Sequence, residues 1–223
     1  MCAHHDDAPV DDLHPSTGSG SRTSDPDELH KLRHSLAHAL AQAVLKLWPD
    51  TKITIGPPID YGCYYDFLFA KPISTEDFPA IEKEIRKIIN QGQTFRKDVL
   101  SVADAKKYWA DKSQPFKVEL IEDLEKNDGV TEVTHYVNIG PKGEDAFVDL
   151  CRGGHVESMK EIPADGYKIM SLAGAYWRGD EKREQLTRLY VAAFPSKVEL
   201  QGYLTQLEEA KKRDHRKLGK ELD

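Results

Sequence analysis

The chain has 223 residues, of which 39% are hydrophobic and 31% are charged, and its formal net charge is −7. This composition is typical of a globular protein of one large or two small domains, and no apolar run approaches the ~20 residues that a bilayer crossing needs. The N-terminus lacks the pattern of a signal peptide and three cysteines make no disulfide framework, so we expect a cytoplasmic protein.

Most of the negative charge lies at the N-terminus. Residues 1–30 contain seven acidic residues and one arginine, so the remainder is close to neutral and the net charge does not exclude nucleic-acid binding. Residues 1–28 are also rich in Asp, Ser, Gly and Pro and poor in large apolar side chains. Such a segment cannot bury enough surface to offset its ordering entropy, and we predict a disordered acidic tail.

The first folded segment is predicted to be a helix from about Asp27 to Trp48, which Pro49 ends. Its main apolar stripe recurs at helical spacing and consists of Leu29, Leu32, Leu36, Leu40, Ala43 and Leu47. The opposite face holds His34 and His38, four residues apart, among small and apolar residues. A helix with so little polar surface is covered on both sides, so we expect the two imidazoles to line a cleft.

The segment up to residue 130 is predicted to contain short strands followed by helices. Ser74 with Asp77 and Ser101 with Asp104 are helix-capping pairs, and Gly92 marks a helix end. The predicted elements are strands 53–55 and 63–69, helices 74–92 and 101–109, and a segment at 115–124. The apolar spacing of that last segment suits a helix or a strand, and the helix is favoured.

The second half of the chain is predicted to consist mainly of strands. Its elements are a hairpin of strands 133–139 and 146–151, strands at 167–172 and 186–194, and a helix that begins near Ser196. Alternation along the second hairpin strand places Phe147, Asp149 and Cys151 on one face. We therefore expect an α+β fold in which antiparallel sheets pack with helices and a helix closes the chain.

Two short motifs carry the candidate chemistry, the His-x-x-x-His of the first helix and a Cys-Arg-Gly-Gly-His run after the second hairpin strand. The Gly-Gly pair suits a turn rather than a helix. The candidate residues are His34, His38, Cys151 and His155. Their nitrogen and sulfur donors suit a tetrahedral zinc site or a metal-free hydrolytic cleft, with Asp149 placed to orient an imidazole. The residues alone leave both alternatives open.

Five longer motifs occur in an order that resembles one known family. They are RHSLAHAL, LWPDTKITIGPPIDYGCYYDF, VDLCRGGHV, LAGAYWRGDEKREQLTRLYVAAF and LEEAKKRDHRKLGKELD. Together they resemble the editing domain of bacterial threonyl-tRNA synthetases, which is related to the editing domain of alanyl-tRNA synthetases. The resemblance implies that fold for residues 29–195, a linker helix for residues 196–223, and hydrolysis of serine wrongly attached to tRNA(Thr).

The resemblance also implies a set of site residues. The expected catalytic residues are His34, His38, Lys117, Cys151 and His155, and the expected substrate-binding residues are Tyr65 and Asp149. Lys117 and His155 are expected to position the attacking water. His34 is expected to contact the ribose hydroxyl or to act as a base.

The remaining residues are expected to form the serine pocket. His38, Cys151 and Asp149 would shape it and hold the amino group of serine, and Tyr65 would line it. In the alanyl branch the four His and Cys positions hold zinc, whereas the threonyl branch works without metal. We therefore expect no cofactor, with zinc at those four positions (His34, His38, Cys151 and His155) as the alternative.

The 223 residues do not include the family's ubiquitin-like, catalytic-core and anticodon-binding domains. We expect either a free-standing editing factor acting in trans or the front part of a longer synthetase, and an end within a charged helix favours the latter. The expected partners are serine-charged tRNA(Thr) and the synthetase catalytic core, in cis or in trans, without a membrane. The alternatives are a zinc-binding alanyl-type hydrolase and a catalytically idle tRNA-binding module. The basic cluster Lys211–Lys217 is expected to be a solvated helix face.

Overall fold

The computed structural model describes residues 25–221, with side chains as far as residue 213. The predicted acidic tail therefore lies outside the described residues except for its last four, and the basic cluster at 211–217 is described only in part. Within residues 25–221, no helix has both the length and the apolar character needed to cross a membrane.

Five α-helices and eight β-strands make up the described part of the chain. The helices are α1 (Pro26–Leu47), α2 (Phe78–Gln91), α3 (Val102–Asp111), α4 (Pro115–Asp128) and α5 (Lys197–Glu221). The strands are β1 (Lys52–Ile53), β2 (Pro58–Ile59), β3 (Gly62–Leu68), β4 (Thr94–Ser101), β5 (Glu132–Ile139), β6 (Asp145–Leu150), β7 (Tyr167–Tyr176) and β8 (Gln185–Ala193).

All strand pairs are antiparallel, and they form two sheets. The larger sheet has the order β1-β3-β8-β7, with β2 also paired to β3, and the smaller sheet has the order β4-β5-β6. Helix α1 packs against β3 of the larger sheet and β6 of the smaller one, and α2 covers α1 from the other side. The α+β prediction is confirmed.

Helix α1 begins and ends as its sequence predicts. The Asp25 carboxylate accepts a hydrogen bond from the Asp27 backbone N–H at 3.1 Å, and Pro26 occupies the first turn. The predicted burial on both faces is confirmed, since Leu36 and Leu40 on one face and Ala37 on the other have no exposed surface. The helix thus packs against both sheets.

The capping predictions hold. Ser74 and Asp77 form a reciprocal capping box, although it opens a 3-10 turn directly before α2. Ser101 caps α3 by accepting a hydrogen bond from Asp104 N–H at 3.1 Å. The ambiguous segment at 115–124 is helical in α4, which ends at Gly129 in the left-handed conformation (φ 63°).

Strand β4 was not predicted. Its residues do not alternate between a buried and an exposed face, and Val99 is 53% exposed. Because β4 is an edge strand of the smaller sheet, four of its eight residues are exposed and none is fully buried. The hydrophobic period that identifies inner strands is therefore missing, and the sequence of this segment predicts no element.

The β5–β6 hairpin agrees with the prediction and places a row of side chains beneath α1. Asn138 lies opposite Phe147, and Tyr136 lies opposite Asp149. A register irregularity follows between Asn138 and Ile139, so the strands are offset near the turn. The predicted alternation is confirmed, because Phe147 and Asp149 are buried while their neighbours are partly exposed.

Helix α5 is anchored to the body through the buried Leu200 and an aromatic side chain. Tyr203 stacks on Tyr61 with ring centroids 5.1 Å apart and contacts Phe194 at 5.0 Å. At its start Ser196 accepts a hydrogen bond from Glu199 N–H at 3.2 Å, as the sequence predicts. The division into an editing domain (29–195) and a linker helix (196–223) remains a prediction.

Candidate functional site

Helix α1 presents His34 and His38 on the face that carries its small side chains, toward the β5–β6 hairpin. The four-residue spacing brings the two rings into contact in an edge-to-face arrangement, with their centroids 5.3 Å apart. His38 is 1% exposed, whereas His34 is partly exposed. The two imidazoles therefore extend from the inside of the site toward its opening.

The Cys-Arg-Gly-Gly-His run forms a turn that returns the chain toward α1. Gly153 and Gly154 have φ values of 96° and 85°, which favour glycine. At Gly153 an added Cβ would lie 2.3 Å from the Tyr136 hydroxyl oxygen, so the turn also passes too close to β5 for a side chain. The result is that Cys151 Sγ lies 3.3 Å from His155 Nε2.

The two motifs meet in one cluster. One donor atom from each of four residues lies within 4.8 Å of the others, and these residues are His34, His38, Cys151 and His155. The His155 ring is stacked between His34, at 4.2 Å, and Phe95 of β4, at 4.3 Å. Ser35 Oγ contacts His155 Nδ1 at 3.2 Å and accepts a hydrogen bond from Val156 N–H at 3.1 Å.

A buried ionic group lies beside this cluster. The Lys117 ammonium of α4 forms an ion pair with Asp149 Oδ1, and the Tyr65 hydroxyl donates to Asp149 Oδ2 at 2.7 Å. Lys117 Nζ also lies 3.3 Å from the Tyr65 hydroxyl oxygen, and the Leu150 backbone N–H donates to Asp149 at 2.8 Å. Lys117, Asp149 and Tyr65 are at most 4% exposed. Three elements far apart in the chain supply this group.

The ionic group and the imidazole cluster form a single site. His38 Nε2 lies 4.0 Å from Asp149 Oδ2, so the buried imidazole directly faces the carboxylate. The structure therefore brings together all seven residues that the sequence analysis selected, namely His34, His38, Tyr65, Lys117, Asp149, Cys151 and His155. Their individual roles remain predictions.

Burial controls the protonation of the cluster. It lowers the pKa of His34 and His155, and it lowers the pKa of His38 well below the usual value, with neighbouring imidazoles adding to the effect. Burial and the Asp149 charge raise the pKa of the Cys151 thiol to about 12. At neutral pH the site therefore contains neutral imidazoles and a thiol, and Cys151 is not a thiolate nucleophile.

Two buried amides complete the inner wall of the site. His38 Nδ1 lies 3.3 Å from Asn138 Oδ1, and Asn138 Nδ2 donates to Gln42 Oε1 at 3.0 Å. The opposite ring atom, His38 Nε2, is buried without a hydrogen-bond partner, and so is His34 Nδ1. Unpaired buried polar atoms are rare in proteins, and two of them within one site are candidates for contact with a ligand.

Sequence reasoning missed four residues of the site. They are Ser35, Gln42, Phe95 and Asn138. A helical signal exists for two of them, because Ser35 lies three residues before His38 and Gln42 lies four residues after it. Phe95 and Asn138 had no such signal, since β4 was not predicted and an asparagine within a strand has no period of its own.

The cluster has the donor chemistry of a zinc site. Three imidazole nitrogens and one sulfur suit Zn²⁺, and two of those imidazoles carry a buried nitrogen without a protein partner. The donor atoms lie within 4.8 Å of one another, a looser arrangement than the about 3.5 Å edges of a closed tetrahedral site. The residues present therefore fit a zinc ion chemically.

Comparison with known proteins shows what the chain is similar to. Residues 136–190 match the family described as "Threonyl and Alanyl tRNA synthetase second additional domain". The chain is 50% identical over 197 residues to the threonine–tRNA ligase of Lawsonia intracellularis, and 48% identical over 197 residues to that of Borreliella burgdorferi. This chain is homologous to bacterial threonyl-tRNA synthetases.

The homology covers most of this chain but only part of each ligase. The two alignments include 88% of the chain and 29% and 32% of the respective ligases. A third ligase, from Ruegeria, is 45% identical over 192 residues, which is 86% of the chain and 28% of the ligase. The family that the motifs resembled is thus confirmed, and the chain spans about 30% of the length of these relatives.

Proposed function

We propose that this chain is the editing module of a threonyl-tRNA synthetase and hydrolyses seryl-tRNA(Thr). The observation that carries the proposal is the junction of the buried Lys117–Asp149–Tyr65 group with a cluster of neutral imidazoles in one site. Such a site offers fixed charges to bind an aminoacyl group and acceptors to take a proton from water. The homology to threonine–tRNA ligases suggests which aminoacyl-tRNA it acts on.

The need for such a site follows from the size of the amino acids. Serine lacks one methyl group of threonine, and a synthetic pocket built for threonine discriminates against it by only about 1–3 kcal/mol. A second site that admits serine and hydrolyses its ester corrects the error. Buried polar groups such as Asp149 and Tyr65 would favour the shorter, polar side chain of serine in such a site.

The reaction transfers the seryl group to water. Water attacks the ester carbonyl carbon, the carbonyl carbon–ribose oxygen bond breaks, and the ribose oxygen takes a proton, which gives serine and tRNA. In this proposal Lys117 and His155 position the water. His34 is assigned as the base, because burial lowers its pKa and keeps the imidazole neutral, and its side chain is partly exposed.

The other residues hold the serine. Asp149 supplies a negative charge for its ammonium group, and Tyr65 fixes the carboxylate by donating at 2.7 Å. His38 and Cys151 complete the pocket as neutral groups. The partners in this proposal are serine-charged tRNA(Thr) and the synthetase catalytic core, in cis or in trans.

Deacylation assays test the proposal. The chain is incubated with labelled seryl-tRNA(Thr), threonyl-tRNA(Thr) and alanyl-tRNA(Ala), and release of each amino acid is followed. Release of serine alone supports the proposal, and release of alanine from its own tRNA points to an alanyl-type hydrolase. Release of neither serine nor alanine favours a tRNA-binding module without activity. Undiminished serine release by the Lys117→Ala variant would exclude a role for this lysine.

A zinc-binding version of the site is the second candidate, because the His and Cys donors fit that ion. His34, His38, Cys151 and His155 would hold a zinc ion, which would supply Lewis-acid chemistry toward the ester carbonyl if one of the four left a coordination position open. Metal analysis of the purified chain decides between the versions: one equivalent of zinc, with serine release lost on chelation and restored by zinc, supports it. Full activity of metal-free protein supports the metal-free site.

A further inference from the structure

Three buried side chains, two from α1 and one from β5, are linked by polar contacts beside the site. His38 Nδ1 lies 3.3 Å from Asn138 Oδ1, and Asn138 Nδ2 donates to Gln42 Oε1 at 3.0 Å. Asn138 is 0% exposed and Gln42 is 5% exposed, so water does not replace these bonds. An amide oxygen only accepts hydrogen bonds. In this arrangement the proton of the His38 ring must therefore be on Nδ1.

The position of that proton determines what His38 offers to a ligand. A neutral imidazole carries one N–H, so a proton on Nδ1 leaves Nε2 as an acceptor. Nε2 is buried without a protein partner and lies 4.0 Å from Asp149 Oδ2, which is also an acceptor. Two acceptors facing one space cannot bond to each other, and a donor group fits between them.

We propose that Asn138 and Gln42 are positioning residues that hold His38 in the Nδ1–H tautomer. They act through His38, so that its Nε2 and Asp149 Oδ2 together accept hydrogen bonds from one cationic donor group of the ligand. This inference rests on the proposed function, in which that group is the ammonium of the seryl ester. Gln42 holds the Asn138 amide in the orientation that presents its oxygen to His38.

The two amides are needed because the local charge favours the other tautomer. Asp149 attracts a proton to the nitrogen that faces it, and a proton on Nε2 would point at the carboxylate and block the donor position. The Asn138 carbonyl oxygen opposes this by accepting from Nδ1. Without Asn138, His38 is expected to change to the Nε2–H tautomer.

The first test is spectroscopic and does not depend on activity. Histidine is labelled with nitrogen-15 in the metal-free chain, and the His38 resonances are identified by their loss in a His38→Gln variant. We expect a protonated-type Nδ1 signal and an unprotonated-type Nε2 signal. The opposite pattern would mean that the Asn138 amide is reversed, with its NH₂ group toward His38, and would overturn the inference.

The second test uses pairs of variants that keep or remove the acceptor. Asn138→Asp retains an oxygen opposite Nδ1 and should retain the tautomer and most of the serine release. Asn138→Leu has a similar volume but no acceptor, and should shift the tautomer and reduce serine release about 10–100-fold, the usual effect of losing a partner that orients a functional histidine. Gln42→Glu and Gln42→Leu repeat the comparison one step further from His38.

A control separates positioning from stability. Thr54 is fully buried in the larger sheet, where its hydroxyl donates to the Asp66 carbonyl at 2.9 Å. Thr54→Val removes this buried bond and should lower the unfolding midpoint without changing the His38 signals. If Asn138→Leu lowers the midpoint but leaves the His38 tautomer unchanged, the inference fails and Asn138 has only a structural role.

These results remain distinguishable from failure of the proposed function. If the unmodified chain has the expected His38 tautomer but releases no serine, the arrangement of the amides stands and the assignment of the ligand falls. If serine is released normally while His38 carries its proton on Nε2, the proposed function stands and this inference falls.

Discussion

Two of the carboxylates buried in the described part of the chain, Asp66 and Asp149, have different surroundings. Asp66 lies opposite Arg188 on the neighbouring strand, and two guanidinium nitrogens donate to it at 2.7 and 2.9 Å. The guanidinium also lies 3.9 Å from the centre of the Tyr64 ring. Both carboxylate oxygens are bonded to one rigid, planar partner, which is a geometry suited to stability.

Asp149 is surrounded by a different set of groups. Its partners come from three separate elements, and the cation is the point charge of Lys117 instead of a planar fork. One further neighbour, His38 Nε2, stops at 4.0 Å and has no partner. The comparison teaches that a satisfied buried pair supports the fold, whereas a buried pair beside an unpaired acceptor marks the place for a ligand.

Removing the cation of each pair gives the largest expected effect. Lys117→Met and Arg188→Met each leave a buried carboxylate without its counter-ion, and each should lower the free energy of unfolding by about 3–5 kcal/mol. Serine release per folded molecule should be lost only with Lys117→Met. A complete denaturant titration measures the change in stability, and the deacylation assay, run without denaturant on the folded variants, measures the change in activity.

Double variants separate the two roles more strictly. Lys117→Met combined with Asp149→Leu, and Arg188→Met combined with Asp66→Leu, replace each ion pair by apolar groups and should recover much of the stability. The first double variant should remain inactive and the second should remain active. Activity in the Lys117/Asp149 double variant would contradict the assignment of the site.

The buried histidines of the site make stability depend on pH. Burial lowers the pKa of His34, His38 and His155, so in mild acid the unfolded chain binds protons that the folded chain does not. Stability is therefore fully present above about pH 6.5 and falls below it by about 1 kcal/mol per pH unit for each histidine.

Urea unfolding at pH 7.5 and pH 5.5 measures this loss. The midpoint should be clearly lower at pH 5.5, and the difference should shrink in a His155→Gln variant, which removes one of the three groups. A midpoint that is equal at both pH values would show that the imidazoles are not held neutral.

A smaller effect is expected from removing single hydroxyl groups near the two carboxylates. Tyr65→Phe deletes the donor to Asp149 Oδ2 and should cost about 1–3 kcal/mol, because a charged acceptor loses a buried partner. Tyr64→Phe keeps the ring that contacts Arg188, and its cost should be lower. Thermal unfolding of both variants, with serine release measured in parallel, makes the comparison; equal losses would contradict it.

The smallest predicted difference concerns two glycines with similar backbones. Gly153 and Gly143 have φ values of 96° and 82°, so alanine strains either position by about 1–2 kcal/mol. An added Cβ meets nothing within 4 Å at Gly143 but lies 2.3 Å from the Tyr136 hydroxyl oxygen at Gly153. Only Gly153→Ala should therefore also reduce serine release. Equal activity of the two variants would show that the turn tolerates displacement.

The parts of the fold with strong local signals were predictable. Helix α1 has a long apolar period with a cap at its start, and the Gly-Gly turn after β6 can adopt few other conformations. Strand β4 was not predictable in this way, because an edge strand buries too little of its side-chain surface to show a period. Its absence from the prediction also concealed Phe95, which stacks on His155.

The site was predictable in its halves but not in its assembly. The spacing of His34 and His38 fixes their common face, and alternation along β6 fixes the common face of Asp149 and Cys151. Nothing in the local sequence around Lys117 indicates that it reaches Asp149, since that contact depends on how α4 packs on the larger sheet. Only the family resemblance indicates that Lys117 belongs to the site, because a contact between residues far apart in the chain produces no local pattern in a single sequence.

The register irregularity beside Asn138 has a consequence for how this site can vary. Side chains on a strand alternate, so slipping β6 by one residue would turn Asp149 and Cys151 away from α1 together. An offset built into the hairpin makes such slippage costly because the strands match in only one alignment. A change of register would therefore remove Asp149 and Cys151 from the site together. A change of specificity that keeps the site requires substitution of individual side chains while the backbone register stays the same.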